Sequence, residues 1–148
     1  MGFDFHMENN NTEQIIEDVH DRALVALDAA GLQAATLSKR ELQKSPERID
    51  TGLLRNSITH AVCGKAPAIG AYHADSPKKG RESAGSYAGT APAASDPAQP
   101  FVLVGTNVEY AIYVHEGTMH MRANRFIANA MRTNSGEFEQ IMKKVLSS

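Results

Sequence analysis

The chain predicts an α+β fold: a small antiparallel sheet, a long N-terminal helix, a C-terminal helix and a long loop inserted between two strands. Three patterns predict it. Ile16, Ala23, Ala30 and Leu37 recur every seven residues, with Val19, Leu27 and Ala34 near the intervening positions, which is a helical stripe. Two short runs, Ser57–Cys63 and Phe101–Gly105, are rich in β-branched and apolar residues and are bounded by turn formers. Phe138, Ile141, Met142 and Val145 then space one face of a last helix at i, i+3, i+4 and i+7.

At 148 residues the chain is one domain long enough for a real core. Hydrophobic residues make up 42% and aromatics only 6%, with no Trp, so that core must be mainly aliphatic. A net charge of −2 argues against a free-standing nucleic-acid module, which usually carries a basic face. No run approaches the roughly 18 apolar residues that span a bilayer. Cys63 is the single cysteine, so no intrachain disulfide forms, as suits a reducing cytoplasm. It reads as a small buried hydrophobe in a strand.

Residues 1–10 read as a flexible N-terminus, with Met1–His6 ahead of Met7 a cloning remnant or alternative start. Residues 11–148 read as the domain. Asn11 with Gln14 three positions on resembles a capping box, which puts the first helix at about Asn11–Lys44. At about 1.5 Å per residue that is roughly 50 Å, long for a domain of this size. Either the helix lies across its own sheet, or part of its stripe packs on a neighbouring subunit. Gly31 inside it costs about 1 kcal/mol against Ala, so it marks a close approach or a kink. Ser45-Pro46 ends the helix, and Asp50 or Thr51 caps a short turn from Gly52 to Asn56. His60, on the strand after that turn, reads as half-exposed.

Residues 64–100 form the inserted loop, holding five of the six prolines and a basic cluster of Lys78, Lys79 and Arg81. Ile69, Tyr72 and Tyr87 are its only bulky residues. Ordering a backbone costs on the order of 1 kcal/mol per residue, more than three such side chains offset at about 2–3 kcal/mol each. The loop is therefore expected to be an assembly arm, mobile on its own and removable without loss of the fold. Tyr72, Lys78, Lys79, Arg81 and Tyr87 are its interface candidates. The Phe101 strand is expected to pair antiparallel with the Ile58 strand. The last helix is expected from about Ala123 to Leu146, kinked near Asn134–Glu137.

The densest stretch is Glu109-Tyr110-Ala111-Ile112-Tyr113-Val114-His115-Glu116-Gly117-Thr118, with Met121, Ala123 and Phe126 close behind. Tyr110, Tyr113 and Val114 share one helical face, and Gly117 sits where a left-handed residue ends a helix, with Thr118 positioned to cap the next helix. The tyrosines are either core residues whose hydroxyls reach the surface or interface residues. His115-Glu116 with His120 invites comparison with a zinc-protease helix. That pattern needs histidines at i and i+4, whereas here they stand five apart across Gly117. No nucleophile elbow, P-loop or dinucleotide fingerprint occurs. His20 and His73 have no partner spacing, and the carboxylates lie scattered. The expectation is a non-catalytic protein without metal or cofactor.

Two segments resemble a known family. Tyr110-Ala111-x-Tyr113-Val114-x-x-Gly117-Thr118 with Met121-x-Ala123 and Phe126, and upstream Asp50-Thr51-Gly52-x-Leu54-x-x-Ser57-Ile58, are similar to segments of tailed-bacteriophage minor capsid, tail-completion and head–tail connector (neck) proteins. The resemblance covers about Asp50 to Met131, apart from the loop. It departs at Asn124-Arg125, where the family often has Arg-Pro, and at His115, where it often has Glu. It implies a virion protein assembled in the bacterial host cytoplasm, acting as a homo-oligomeric ring that joins portal or adaptor to tail tube or tail terminator proteins. Sequence-specific nucleic-acid binding is not implied. The alternatives are a packaging accessory protein that contacts nucleic acid through Lys78, Lys79 and Arg81, or an uncharacterised hydrolase.

Overall fold

A computed structural model describes the backbone of residues 5–46 and 49–147, with side chains from Gln14 onward. The elements run α1 (Phe5–Gln43), α2 (Leu53–Ser57), β1 (Thr59–Val62), β2 (Ala71–His73), β3 (Ala84–Ser86), β4 (Val102–Gly105), α3 (Ala111–Glu116), α4 (Phe126–Thr133) and α5 (Ser135–Leu146). The α+β class is as the sequence predicts. β1 and β4 pair antiparallel, with Thr59 opposite Gly105 and Val62 opposite Val102.

α1 is one helix of 39 residues, roughly 58 Å at about 1.5 Å per residue. It begins at Phe5, so Asn11 is interior and the capping-box start is corrected; residues 5–10 extend the helix. The stripe of small residues explains how α1 packs: Ala26, Ala30, Ala34 and Ala35 are buried and let the helix settle closely on the sheet. Gly31 marks the closest approach. A Cβ there would lie 2.6 Å from Val102 Cγ2 and 2.8 Å from His60 Cδ2. The helix runs unbroken past this glycine, so close packing rather than a kink accounts for it.

His60 is buried at 4% exposure, which corrects the half-exposed reading. Its ring lies under α1, and Nε2 meets Asp28 Oδ1 at 2.9 Å. A polar ring tolerates such burial when its nitrogen has a partner. Cys63 falls just beyond β1 and is half-buried.

The C-terminal helix is interrupted at one residue. Asn134, at φ −117°, separates α4 from α5, and its side chain returns a hydrogen bond to Ala130 O at 2.9 Å. The start moves from Ala123 to Phe126. α4 and α5 run back along α1, where Gln33 Nε2 donates to Glu137 Oε1 at 2.7 Å. α5 buries none of its residues fully; Phe138, Ile141, Met142 and Val145 are half-covered, on the face the spacing predicts.

The inserted loop departs most from expectation. It carries its own hairpin, β2–β3, with Tyr72 opposite Gly85. Tyr72 is buried at 7% in the core with Leu42, Leu53, Leu54, Ile58 and Phe126, and Ile69 and Tyr87 pack against it. The reading of this segment as an arm that stands off its own monomer is corrected. Besides its bulky side chains, the loop is held by hydrogen bonds to α2 and to the turn after β4, which offset the cost of ordering it. Tyr72 and Tyr87 are therefore internal contacts rather than interface residues. Among the described residues, no helix is long and apolar enough to cross a membrane.

Candidate functional site

The fold brings the two sequence segments together around one core. Leu53, Leu54 and Ile58 from the first meet Ala111, Val114 and Phe126 from the second, with Val108 just ahead of it, and Phe126 is only 1% exposed. Several other residues of the segments have a backbone task. Gly52, at φ +82°, precedes α2, and a Cβ there would press on Asp75 Oδ2 at 2.9 Å. Thr51 accepts the N–H of Leu53 with its hydroxyl and those of Asp75 and Ser76 with its carbonyl, the latter at 2.9 and 3.2 Å. Ser57 closes α2 by donating to Leu54 O at 2.7 Å, and its hydroxyl also meets that of Thr106. Ser57 belongs to the end of α2, so the strand begins two residues later than its composition predicts.

The loop is tied to this centre by polar side chains. Tyr87 donates its hydroxyl proton to Ser57 O, and its oxygen accepts the N–H of Asn107 at 3.2 Å. Tyr72 donates to Asn107 Oδ1, and Asn107 Nδ2 donates to Ser86 O at 2.8 Å. Burial pushes the Tyr72 phenol above its usual range, so it stays protonated and able to donate. Asn56 Nδ2 reaches His73 O at 2.8 Å and Asp75 Oδ1 at 3.0 Å, and Arg55 pairs with Asp75.

In the second segment α3 ends at Gly117, whose φ is +82° with ψ 173°. The positive φ is as expected, but the residue lies in the extended glycine region rather than the left-handed helical one. The chain turns back sharply: Thr118 N donates to Met121 O at 2.8 Å and Asn124 N to Val114 O at 2.9 Å. Thr118 thus closes this turn, accepting the N–H of His120 at 3.2 Å, and does not cap α4. That role falls to His115. Its Nδ1 lies 2.7 Å from Glu116 Oε1, and its Nε2 accepts the N–H of Ala128, in the first turn of α4, at 3.4 Å. A neutral imidazole protonated on Nδ1 makes both contacts. The ring also meets Phe126 edge-on, with centroids 5.3 Å apart. The hydrogen bond to His115 holds the Glu116 carboxyl below its usual range, with Arg125 adding to it. At the departure point the buried Nδ2 of Asn124 has no hydrogen-bond partner among the described residues.

The tyrosines resolve outward. Tyr110 and Tyr113 are 41% and 59% exposed, whereas Ala111 and Val114 form the buried face of α3. Tyr110, Tyr113 and Val114 border one cleft as their spacing predicts, but only Val114 is buried. Both tyrosines line an open cleft of about 870 Å³ with Leu42, Ile49, Arg55, Arg81 and Glu109. Burial, then the carboxylates of Glu82 and Asp50, raise the Tyr110 phenol above its usual range.

The basic cluster is largely occupied. Lys78 pairs with Asp50, and Arg81 Nε lies 3.5 Å from the same carboxylate. The hydrogen bond from Lys78 holds the Asp50 carboxyl below its usual range. Lys79 is exposed. Among the described residues no group of three or more His, Cys, Asp and Glu could hold a metal ion. Sequence reasoning missed His60–Asp28 and the Ser57–Thr106–Asn107–Tyr87 network. A Thr-Asn pair straight after β4 was the one signal of that network. No family model, curated protein or solved structure matches the chain.

Proposed function

We propose that this chain is a structural protein of a tailed-phage virion, a homo-oligomeric ring at the head–tail junction or tail end that joins portal or adaptor to tail tube. One observation carries the reading. The two segments that resemble the neck and tail-completion family are far apart in sequence, yet they close on each other in a single core, with Tyr110 and Tyr113 left outside. The residues of the resemblance thus act as a scaffold, and the two tyrosines they present line a cleft that also carries Asp50, Arg55, Arg81, Glu82 and Glu109. Ile112 at 62% and Met119 at 96% exposure are further large apolar side chains left uncovered in this segment. Exposed apolar and aromatic side chains of this size suit surfaces covered in an assembly.

The test is assembly and rescue. The purified chain is measured by light scattering and native mass spectrometry, and a phage lacking its gene is examined for joined particles. The expected result is a closed oligomer, with separate heads and tails in the deletion that join when the chain is supplied. A strictly monomeric chain, or a deletion phage with normal particles, would overturn the proposal.

A further inference from the structure

α1 is longer than the domain that it supports. α5 lies antiparallel to it from Gln33–Glu137 and has 12 residues, so it reaches about as far as Ala23. Beyond that point α1 continues past the last element packed on it among the described residues. From Gln14 to Val19 every side chain is exposed, including Ile15 at 62%, Ile16 at 60% and Val19 at 56%. Ile16 continues the heptad of Ala23, Ala30 and Leu37, the stripe that farther along is buried on the domain. The overhang is therefore an apolar packing face that the described residues of its own chain leave uncovered. Its described charges are mainly acidic: Glu17, Asp18 and Asp21 are exposed, with Arg22 beside them pairing with Asp18 at 3.2 Å.

A surface of opposite character lies on α4 and the turn before it. Residues 117–136 contain Arg122, Arg125 and Arg132 and no Asp or Glu. Phe126 and Ala130 point inward, so the outer face of α4 presents Arg125, Ala128, Met131 and Arg132, with Met131 39% exposed. It is an apolar strip with a basic rim, in which Arg125 pairs with Glu116 at 3.4 Å and Arg122 and Arg132 supply the remaining positive charge. The overhang is an apolar strip with an acidic rim.

The two cannot meet within one molecule. Phe126 shares the core with Leu42, at the far end of α1 from Val19. The 23 residues between Val19 and Leu42 span roughly 35 Å of rigid helix. We infer that the acidic overhang of α1 docks on the basic outer face of α4 in a second copy of this chain. Because two different surfaces meet, the contact is head-to-tail, and repeating it yields a closed ring or a filament. The inference rests on the proposed self-assembly and names the surfaces that carry it.

Charge reversal tests it. Glu17→Lys with Asp21→Lys, and separately Arg122→Glu with Arg132→Glu, change only exposed side chains, so thermal melts should match wild type. Each pair of changes is expected to weaken self-association at least tenfold by sedimentation, and the chain carrying all four should reassemble. As a second readout, Val19→Cys and Met131→Cys chains, each also Cys63→Ala, are mixed and mildly oxidised. A 19–131 cross-linked dimer is expected. If wild type assembles but reversal leaves assembly intact and no 19–131 product forms, this docking is wrong while self-assembly stands. Cross-linking only between two copies of position 19 also overturns it, as a like-with-like contact. A wild type that is monomeric at all concentrations overturns both.

Discussion

Gly117→Ala tests the turn on which the second segment depends. At φ +82° and ψ 173° the backbone occupies a region that only glycine enters freely, and an L-residue held there costs on the order of 1–3 kcal/mol. Alanine also adds a Cβ that would lie 2.7 Å from Ala123 N and 2.9 Å from Met121 O. Both are backbone atoms of a hydrogen-bonded turn, so relief requires moving the chain that leads into α4, at about 1–3 kcal/mol more. The lower entropy of the unfolded alanine chain offsets about 0.4–1 kcal/mol. The net loss is then about 1–5.5 kcal/mol, which for a domain of this size lowers Tm by roughly 2–22 °C. The control is Gly89→Ala: Gly89 has the same φ of +82°, but a Cβ there meets nothing within 4 Å. Comparing the two by thermal and urea melts sets a crowded positive-φ glycine against an uncrowded one. If Gly117→Ala melts together with Gly89→Ala, the close approach of Met121 and Ala123 is not what Gly117 serves.

Phe126→Ala should cost about 3–5 kcal/mol in a denaturant melt, because its ring is 1% exposed between α1, α2 and α3; a loss below about 1 kcal/mol would place it outside the core. Gly31→Ala should destabilise by about 1–2 kcal/mol although alanine is the better helix former by about 1 kcal/mol, since the new methyl meets Val102 and the His60 ring; a stabilised variant would show that α1 does not seat there. Replacing residues 65–99 with a short Gly-Ser turn should abolish cooperative unfolding, because Tyr72 leaves the core and the Tyr87 bridge to Ser57 and Asn107 is lost. A shortened chain that still melts cooperatively near the wild-type Tm would mean that the loop is a detachable arm after all. Asp50→Asn should weaken the tether of the loop tip at neutral pH. The folded carboxyl is held below the unfolded value of about 3.9, so its contribution is present above that pH and fades as pH falls through the folded pKa. The stability difference between wild type and variant should shrink below about pH 4; an undiminished gap at pH 3 would mean that the Asp50–Lys78 pair is not its source.

The elements legible in the residues were those with a period to read. The heptad of α1, the apolar runs of β1 and β4, their antiparallel pairing and the half-covered face of α5 follow from spacing, because periodicity records which side of an element is dry. The positive φ of Gly117 was legible for a related reason: glycine after an apolar helical run has few other uses. Beyond these, the outcome depended on neighbours that are distant in the chain. Tyr72 and Tyr87 look too few to hold a loop rich in proline, yet Asn107 and Ser57 stand ready for their hydroxyls, and no local pattern announces a hydrogen bond across 30 residues. His60 looks half-exposed on an alternating strand, and it is buried because Gly31 lets α1 descend onto it. Tyr110 and Tyr113 share helical spacing with Val114, but a six-residue helix has little room, and the core took Ala111 and Val114 instead. Sequence alone determined where α1 is apolar. Only the tertiary structure decided how much of that stripe finds a partner, because the length of α5 sets where its own domain ends.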